Sequence, residues 1–341
     1  MWTDHPVLFL SGGGLKVTAF LGALELTDSA CFQEVYGVSA GAILACLLAA
    51  GLSIPVILKK VQDTQWSNLF FESFSLGRVF SGKAPLDSAA LKKILAAWIW
   101  EAGVPPSATL AWMAASRQIR FGCFAVDLRA GTLTFFNSDN HPNARLLDVV
   151  MASAALPPVL DPVKIAGRTY VDSGIVNNAP LSLLRSRISP RKKLLALLVS
   201  SRSPVSSPPS ALHTMTFLWL RANFLTQAEI FSADPATITL VQMPPSPETT
   251  HLFKVNREDM DLLVRQGRRV VVSHLLKTQL AGFCVFFVLV GCSSPQPRHS
   301  LSKKPHVFFS PGVSTSGWMA GLSDMFSEAV CRCKDAVRIF K

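Results

Sequence analysis

The sequence predicts an α/β domain in which a largely parallel sheet carries helices on both faces. Along residues 6–280, short apolar runs that end in glycine or polar turns alternate with stretches whose apolar residues recur every three or four positions. This alternation is typical of parallel sheets covered on both sides. A chain of 341 residues, 49% of them hydrophobic, is long enough to bury the core of such a domain.

The first strands and helices are separated by glycine-rich turns. The apolar run Val7–Leu10 breaks into three consecutive glycines, and helical spacing follows over 17–26. A second apolar run leads into the turn 37–41, and an apolar helix over 42–50 follows that turn directly. Further helices are predicted over 54–62, 88–100, 146–155 and 259–279, and further strands over 120–126, 132–136, 169–171 and 194–199.

The composition changes after residue 280, which predicts one large α/β domain over 6–280 and an extension over 281–341. Residues 280–292 are almost purely apolar but short for a membrane span, so a buried strand, a buried core element or an interfacial insertion fits better. A basic amphipathic helix is predicted over 318–340. It either lies in a membrane interface or packs on the catalytic domain. The proline- and serine-rich stretch 201–210 is predicted to be a loop.

The positive charge is confined to the second half of the chain. Residues 1–180 hold 13 basic and 13 acidic residues, so the entire net charge of +11 lies in residues 181–341. This asymmetry indicates either an anionic partner or a solubilising face. An anionic membrane surface is the expected partner, because no nucleic-acid-binding motif accompanies the charge.

The cysteines and the N-terminus point to a reducing compartment. The seven cysteines are odd in number, and Cys331 and Cys333 lie too close together for a zinc or redox pair. No basic segment that would begin a cleaved signal peptide opens the sequence. We therefore expect an intracellular, cytoplasmic protein with peripheral membrane association, no metal and no cofactor.

Gly37-Val38-Ser39-Ala40-Gly41 has the pattern of a nucleophile elbow. An apolar strand precedes it and an apolar helix follows, which is the strand–turn–helix setting that exposes a serine hydroxyl at a helix N-terminus. The glycines on either side are expected to ease the sharp turn. The alternative is a small-residue turn with no chemistry.

Gly12, Gly13 and Gly14 lie at the end of the first strand, 25 residues before Ser39, and are followed by Lys16. Such a run presents several backbone N–H groups to one small anion, as the oxyanion of an acyl-transfer reaction requires. A nucleotide site is disfavoured because the spacing fits neither a P-loop nor a dinucleotide-binding turn.

A serine nucleophile needs a base, and Asp172 is the strongest candidate. It ends a short strand and enters the turn Ser173-Gly174, a setting like that of the serine itself. None of the seven histidines lies in a comparable context. An aspartate that only caps a turn remains the structural alternative.

Four ordered segments together resemble the patatin-like phospholipases over about residues 6–280. They are Ser11–Leu24, the Gly37–Gly41 turn, Ala125–Gly131, and Met151–Pro180 with its Asn177-Asn178 pair. The resemblance implies a three-layer α/β/α sandwich and a metal-independent serine–aspartate dyad.

On the matching positions, the resemblance implies that Ser39 is the nucleophile, Asp172 the base and Gly12–Gly14 the oxyanion loop. The supporting residues would be Lys16, Gly37, Gly41 and Gly174. The implied activity is a phospholipase A-type hydrolysis of ester bonds in membrane glycerolipids, with a phospholipid or an acylglycerol as the substrate.

Two positions depart from the family pattern. Val17 and Ser173 each replace a glycine. If the position of Ser173 required a positive φ, serine would cost about 1 kcal/mol and displace the neighbouring carboxylate. Two alternatives therefore stand beside the hydrolase, namely a catalytically impaired lipid-binding scaffold of the same fold and a Ser-His-Asp esterase.

Overall fold

The computed structural model describes residues 4–25, 27, 31–66, 68–69, 74–199, 237–243 and 256–291, with side chains up to residue 274. The chain divides between Val271 and Val272 into two compact units. The loop predicted over 201–210 and the amphipathic helix predicted over 318–340 lie outside the described residues. The predicted domain boundary at 280 stays a prediction.

Eight strands and nine α-helices are formed by the described residues. The strands are β1 (Val7–Leu10), β2 (Glu34–Val38), β3 (Arg120–Asp127), β4 (Thr132–Asn137), β5 (Val163–Ile165), β6 (Arg168–Asp172), β7 (Leu194–Val199) and β8 (Ile238–Met243). The helices are α1 (Thr18–Leu24), α2 (Ala40–Ala49), α3 (Ile54–Asp63), α4 (Leu76–Phe80), α5 (Ser88–Glu101), α6 (Leu110–Arg117), α7 (Leu146–Ala154), α8 (Leu181–Arg185) and α9 (Arg257–Gly291). Short 3-10 helices follow β1 and β6, at Gly14–Val17 and Ser173–Ile175.

The strands form one mixed sheet in the order β5-β6-β3-β2-β1-β7-β8, with β4 beside β3. The run from β3 to β8 is parallel, and only β4, β5 and β6 join antiparallel neighbours. The predicted largely parallel sheet is therefore confirmed, as is the pairing of the strands on either side of Gly131.

Alternate residues of the central strands enter two cores. Val7 and Phe9 of β1 lie in a buried cluster with Leu181 and Leu184 of α8. Gly37 of β2 faces the opposite way, toward the backbone of α2, which also packs against α5 and α7. Helices thus cover both faces of the sheet, and the predicted three-layer sandwich is confirmed.

The N-terminal part of α9 packs directly on α1. A Cβ atom on Gly22 would lie 2.1 Å from the carbonyl oxygen of Val264, and one on Gly267 would lie 1.9 Å from that of Ala19. Only glycine allows backbones to approach this closely. An ion pair between Arg268 and Glu25 accompanies the contact. Since α1 follows the glycine loop, α9 supports the segment that carries it.

The helix predicted over 259–279 is longer than expected. α9 continues to Gly291, so a strand over the apolar residues 280–291 was the wrong alternative. A short apolar run does not by itself distinguish strand from helix. Among the residues described with side chains, no helix is long and apolar enough to cross a membrane.

Candidate active site

The two predicted catalytic side chains follow strands that meet on one edge of β3. Because β4 covers the opposite edge, β2 and β6 share the remaining one. β2 runs parallel to β3 and ends at Val38 opposite Phe124, whereas β6 runs antiparallel and ends at Asp172 opposite Ala125. The two strands therefore meet end to end, which brings Ser39, the residue after Val38, beside Asp172 at the end of β6.

Ser39 has a backbone conformation that side chains rarely adopt. Its φ of 55° and ψ of −129° place it in the left-handed half of conformational space, immediately before the first turn of α2. Such a conformation costs about 1–3 kcal/mol and persists only where the surroundings impose it. One such constraint is the side chain of Ser153, whose hydroxyl oxygen accepts a hydrogen bond from the Ser39 backbone N–H at 3.0 Å.

Gly37 and Gly41 serve close packing, a role different from the one expected. Neither has a positive φ, since the unusual angle falls on Ser39 itself. A Cβ atom on Gly37 would lie 2.5 Å from the backbone of Gly41, and one on Gly41 would lie 2.3 Å from the carbonyl oxygen of Leu10. These glycines let α2 lie directly on β1 and β2, which brings the start of α2 to the serine.

Asp172 is a fully buried carboxyl group. Burial raises its pKa from 3.8 to about 7, although hydrogen bonds from the Ser39 hydroxyl and the Gly174 backbone N–H oppose the shift. The bond from Gly174 is 2.7 Å long, and the Asp172 backbone N–H in turn donates to the Ala155 carbonyl at 2.9 Å. The group is thus fixed in position, with a proton affinity suited to a general base near neutral pH.

Gly12 brings the glycine loop against the serine. A Cβ atom there would lie 2.9 Å from the Cβ atom of Ser39 and 2.4 Å from Oδ1 of Asn178. The Asn178 side-chain amide forms two hydrogen bonds with the loop. Its Oδ1 accepts a hydrogen bond from the Gly12 N–H at 3.0 Å, and its Nδ2 donates one to the Gly12 carbonyl at 3.1 Å. The Gly12 N–H is therefore already bonded.

Gly13 and Gly14 retain the donors that an oxyanion would need. No acceptor among the described residues takes their backbone N–H groups, which lie at the start of the 3-10 helix Gly14–Val17. Gly14 has a φ of 56°, which glycine adopts without strain. Of the three glycines in the predicted oxyanion loop, these two carry the free donors.

Lys16 is a partly buried cation close to the loop. Burial lowers the pKa of its ammonium group, and no carboxylate of the described residues forms an ion pair with it. Its backbone N–H donates to the Gly13 carbonyl at 3.2 Å, which closes the 3-10 turn after the glycines.

The two departures from the family pattern leave the backbone unstrained. Val17 has a φ of −62°, and Ser173 begins a 3-10 helix and is absent from the residues with positive φ. The expected cost of serine at this turn therefore does not arise. The Ser173 hydroxyl is nevertheless buried, and no described residue forms a hydrogen bond with it.

Sequence reasoning missed two supporting residues, Ser153 and Asn178. Both belong to segments that the family resemblance includes, but nothing in their local sequence indicates which groups they contact. The bond from Ser39 to Ser153 spans 114 positions, and the bonds between Gly12 and Asn178 span 166.

Neither His5 nor His141 hydrogen-bonds Ser39 or Asp172. His5 hydrogen-bonds Asp4 and Thr239 at the opposite end of the sheet, and the ring of His141 lies 4.6 Å from that of Phe136. Within the described part of the chain, no group of three or more histidine, cysteine or acidic side chains is arranged to hold a metal ion.

Comparison with known proteins identifies relatives over about half of the chain. The profile of the patatin-like phospholipase family matches residues 8–185. The uncharacterized protein YqhO of Bacillus subtilis is 28% identical over 201 residues, which make up 51% of this chain and 64% of that protein. A cGAMP-activated phospholipase of Pseudomonas aeruginosa is 30% identical over 192 residues, which make up 52% of this chain and 54% of that protein. The chain thus spans between half and two thirds of the curated relatives that it matches.

Two bacterial structures align with most of the chain at low sequence identity. VipD of Legionella pneumophila aligns with a TM-score of 0.45 and 16% identity, over 80% of this chain and 67% of its own. The type III effector ExoU aligns with a TM-score of 0.46 and 17% identity, over 80% of this chain and 53% of its own.

Proposed function

Because the chain belongs to the patatin-like phospholipase family, we propose that it is a lipid acyl hydrolase that cleaves ester bonds of membrane glycerolipids. The observation that carries the proposal is the position of Ser39 beside the buried Asp172, at the point where β2 and β6 meet, and the Ser39 hydroxyl opposes the rise in the pKa of that carboxyl group. A serine hydroxyl becomes a nucleophile when a base within hydrogen-bond reach accepts its proton.

The proposed reaction uses Asp172 twice, first as a base and then as an acid. The Ser39 oxygen attacks the acyl carbon while its proton passes to the carboxylate of Asp172. The tetrahedral intermediate then collapses, the bond to the glycerol oxygen breaks, and Asp172 returns the proton to that oxygen. Water cleaves the acyl-enzyme in the same way, which releases the fatty acid and restores the serine.

The backbone N–H groups of Gly13 and Gly14 would stabilise the negative oxygen of both intermediates. Donors that are fixed before the reaction need no reorganisation, and removing one typically costs about 3–4 kcal/mol of barrier. The N-terminus of α2, immediately after Ser39, adds a partial positive charge on the same side.

A fluorophosphonate probe combined with a mixed-lipid vesicle assay tests this proposal. We expect covalent labelling of the wild type, no labelling of Ser39→Ala, and release of free fatty acid that mass spectrometry identifies. Ser173→Ala is the matched control, since it removes a buried hydroxyl beside Asp172 that has no described hydrogen bond.

Three results would count against the proposal. Labelling that persists in Ser39→Ala would place the nucleophile elsewhere. Asp172→Asn with more than a few per cent of wild-type hydrolysis would remove Asp172 from the reaction. A wild type that neither labels nor hydrolyses lipid would favour the non-catalytic scaffold.

A further inference from the structure

An exposed apolar surface lies on the short helix α4. Half of the large hydrophobic side chains that are exposed in the described part of the chain fall between Phe74 and Phe80. Phe80 is 88% exposed and Leu76 is 61% exposed, with Phe74 and Val79 beside them. Exposed apolar side chains are ordinary when scattered, but such a cluster on a soluble surface indicates a binding site. We call these four residues the α4 surface.

The α4 surface is fixed to the loop that supports the proposed base. The Leu86 backbone N–H donates to the Val159 carbonyl at 3.2 Å, and the Ala84 N–H donates to the Asp161 carboxylate at 2.7 Å. Arg78, in the middle of α4, forms an ion pair with the same carboxylate. This loop starts at Ala155, whose carbonyl accepts the backbone N–H of Asp172.

The segment that carries the α4 surface has only basic charged residues. Residues 74–86 contain Arg78 and Lys83 but no acidic residue. Arg78 is held by Asp161 and Asp87, whereas Lys83 is exposed and has no ion pair among the described residues. An anionic bilayer has negatively charged head groups at its surface and apolar acyl chains below them. Exposed apolar side chains beside an unpaired cation complement both layers.

We propose that the α4 surface inserts into the interface of an anionic lipid bilayer, with Lys83 at the lipid phosphates. The inference rests on the proposed function and adds the surface by which the protein binds the membrane that contains its substrate. Because the surface is attached to the loop that begins at Ala155, its insertion would hold the Ser39–Asp172 site at the membrane from which a glycerolipid must be drawn.

Co-sedimentation of the full chain with vesicles tests the inference without any turnover. All variants carry Ser39→Ala, so binding is measured whether or not the wild type hydrolyses lipid. Vesicles of phosphatidylcholine alone are compared with vesicles that also contain phosphatidylglycerol. Trp100→Ser is the matched control, because Trp100 is 62% exposed but lies about 18 Å along α5 from the end that follows the α4 segment.

Removing the apolar side chains should weaken binding to both kinds of vesicle. We expect Leu76→Ser with Phe80→Ser to lower the partition coefficient at least about tenfold, since two large side chains would no longer leave water. Lys83→Glu should lower it about fivefold or more, and only where phosphatidylglycerol is present. Trp100→Ser should bind like the parent.

Phe80→Ser alone is the variant least expected to disturb folding, because a side chain this exposed contributes little to the core. A partition coefficient that is unchanged in this variant and in the double variant would overturn the inference. So would a lowered melting temperature in Phe80→Ser, which would make the surface structural. A parent dimer that dissociates in the double variant, detected by light scattering, would instead assign the surface to contact between two copies.

Discussion

Replacing Asp172 by asparagine should make the protein more stable at pH 8 while abolishing its hydrolytic activity. The folded state raises the pKa of Asp172 from 3.8 to about 7 because the carboxyl group is buried. Between these values the unfolded chain has lost the proton and the folded chain retains it, so the folded state binds more protons. The free energy of unfolding therefore falls as the pH rises through this window.

The size of the effect follows from the shift. Each pH unit between 4 and 7 lowers the free energy of unfolding by about 1.4 kcal/mol, so the full decrease above pH 7 is about 4 kcal/mol. Asparagine has nearly the same shape and no charge, and its oxygen still accepts the Gly174 N–H. We expect the stability difference between Asp172→Asn and the wild type to grow by about 2–3 kcal/mol between pH 5 and pH 8.

Urea denaturation of both proteins at pH 5 and pH 8 measures the difference. Asp127→Asn is the control, since the Arg168 guanidinium and two backbone N–H groups lower the pKa of that buried carboxylate. Asp127 is then ionised in both states over this range, and its substitution should cost the same stability at either pH. A pH-independent difference for Asp172→Asn would refute the reasoning.

Three further predictions follow from the site and the tail. Ser153→Ala should destabilise the fold by about 1–3 kcal/mol, because it leaves the Ser39 N–H without its acceptor. Ser173→Ala should be neutral or stabilising, because it removes a buried hydroxyl that has no hydrogen bond among the described residues. Thermal denaturation compares the two variants, and equal losses of stability would contradict the assignment of hydrogen bonds. Hydrolysis should survive excess EDTA, and a tenfold loss restored by calcium would mean that carboxylates bind a metal. Deleting 313–341 should weaken binding to anionic vesicles and slow vesicle hydrolysis more than that of a soluble short-chain ester, and an equal loss of both activities would make the tail structural.

Features set by neighbouring residues were predictable from the sequence. The Gly37–Gly41 turn lies between its own strand and helix, so its pattern alone predicted a serine at a helix N-terminus. The glycine run after β1 was also recognisable from neighbouring residues alone. Both were found where the pattern placed them.

Features that depend on pairing across the chain were not predictable from local patterns. Nothing in β2 or β6 indicates that both end against neighbouring residues of β3, which is what joins Ser39 to Asp172. The strand-end setting of Asp172 made it a candidate base, and the family resemblance linked it to Ser39. Short elements such as α4 and β8 were missed because five or six residues hold too little periodicity to distinguish from loops.

The backbone contact between α1 and α9 has a consequence for how the protein is made. A ribosome delivers Ser39 and Asp172 well before Gly267, and at about 5–20 residues per second the interval is about 5–20 s. During that time α1 lacks the surface against which Ala19 and Gly22 pack. A chain that stopped before α9 would contain everything that the family profile matches and still leave the glycine loop without its support. Assembly of the site is thus completed only after Gly267 has been synthesised.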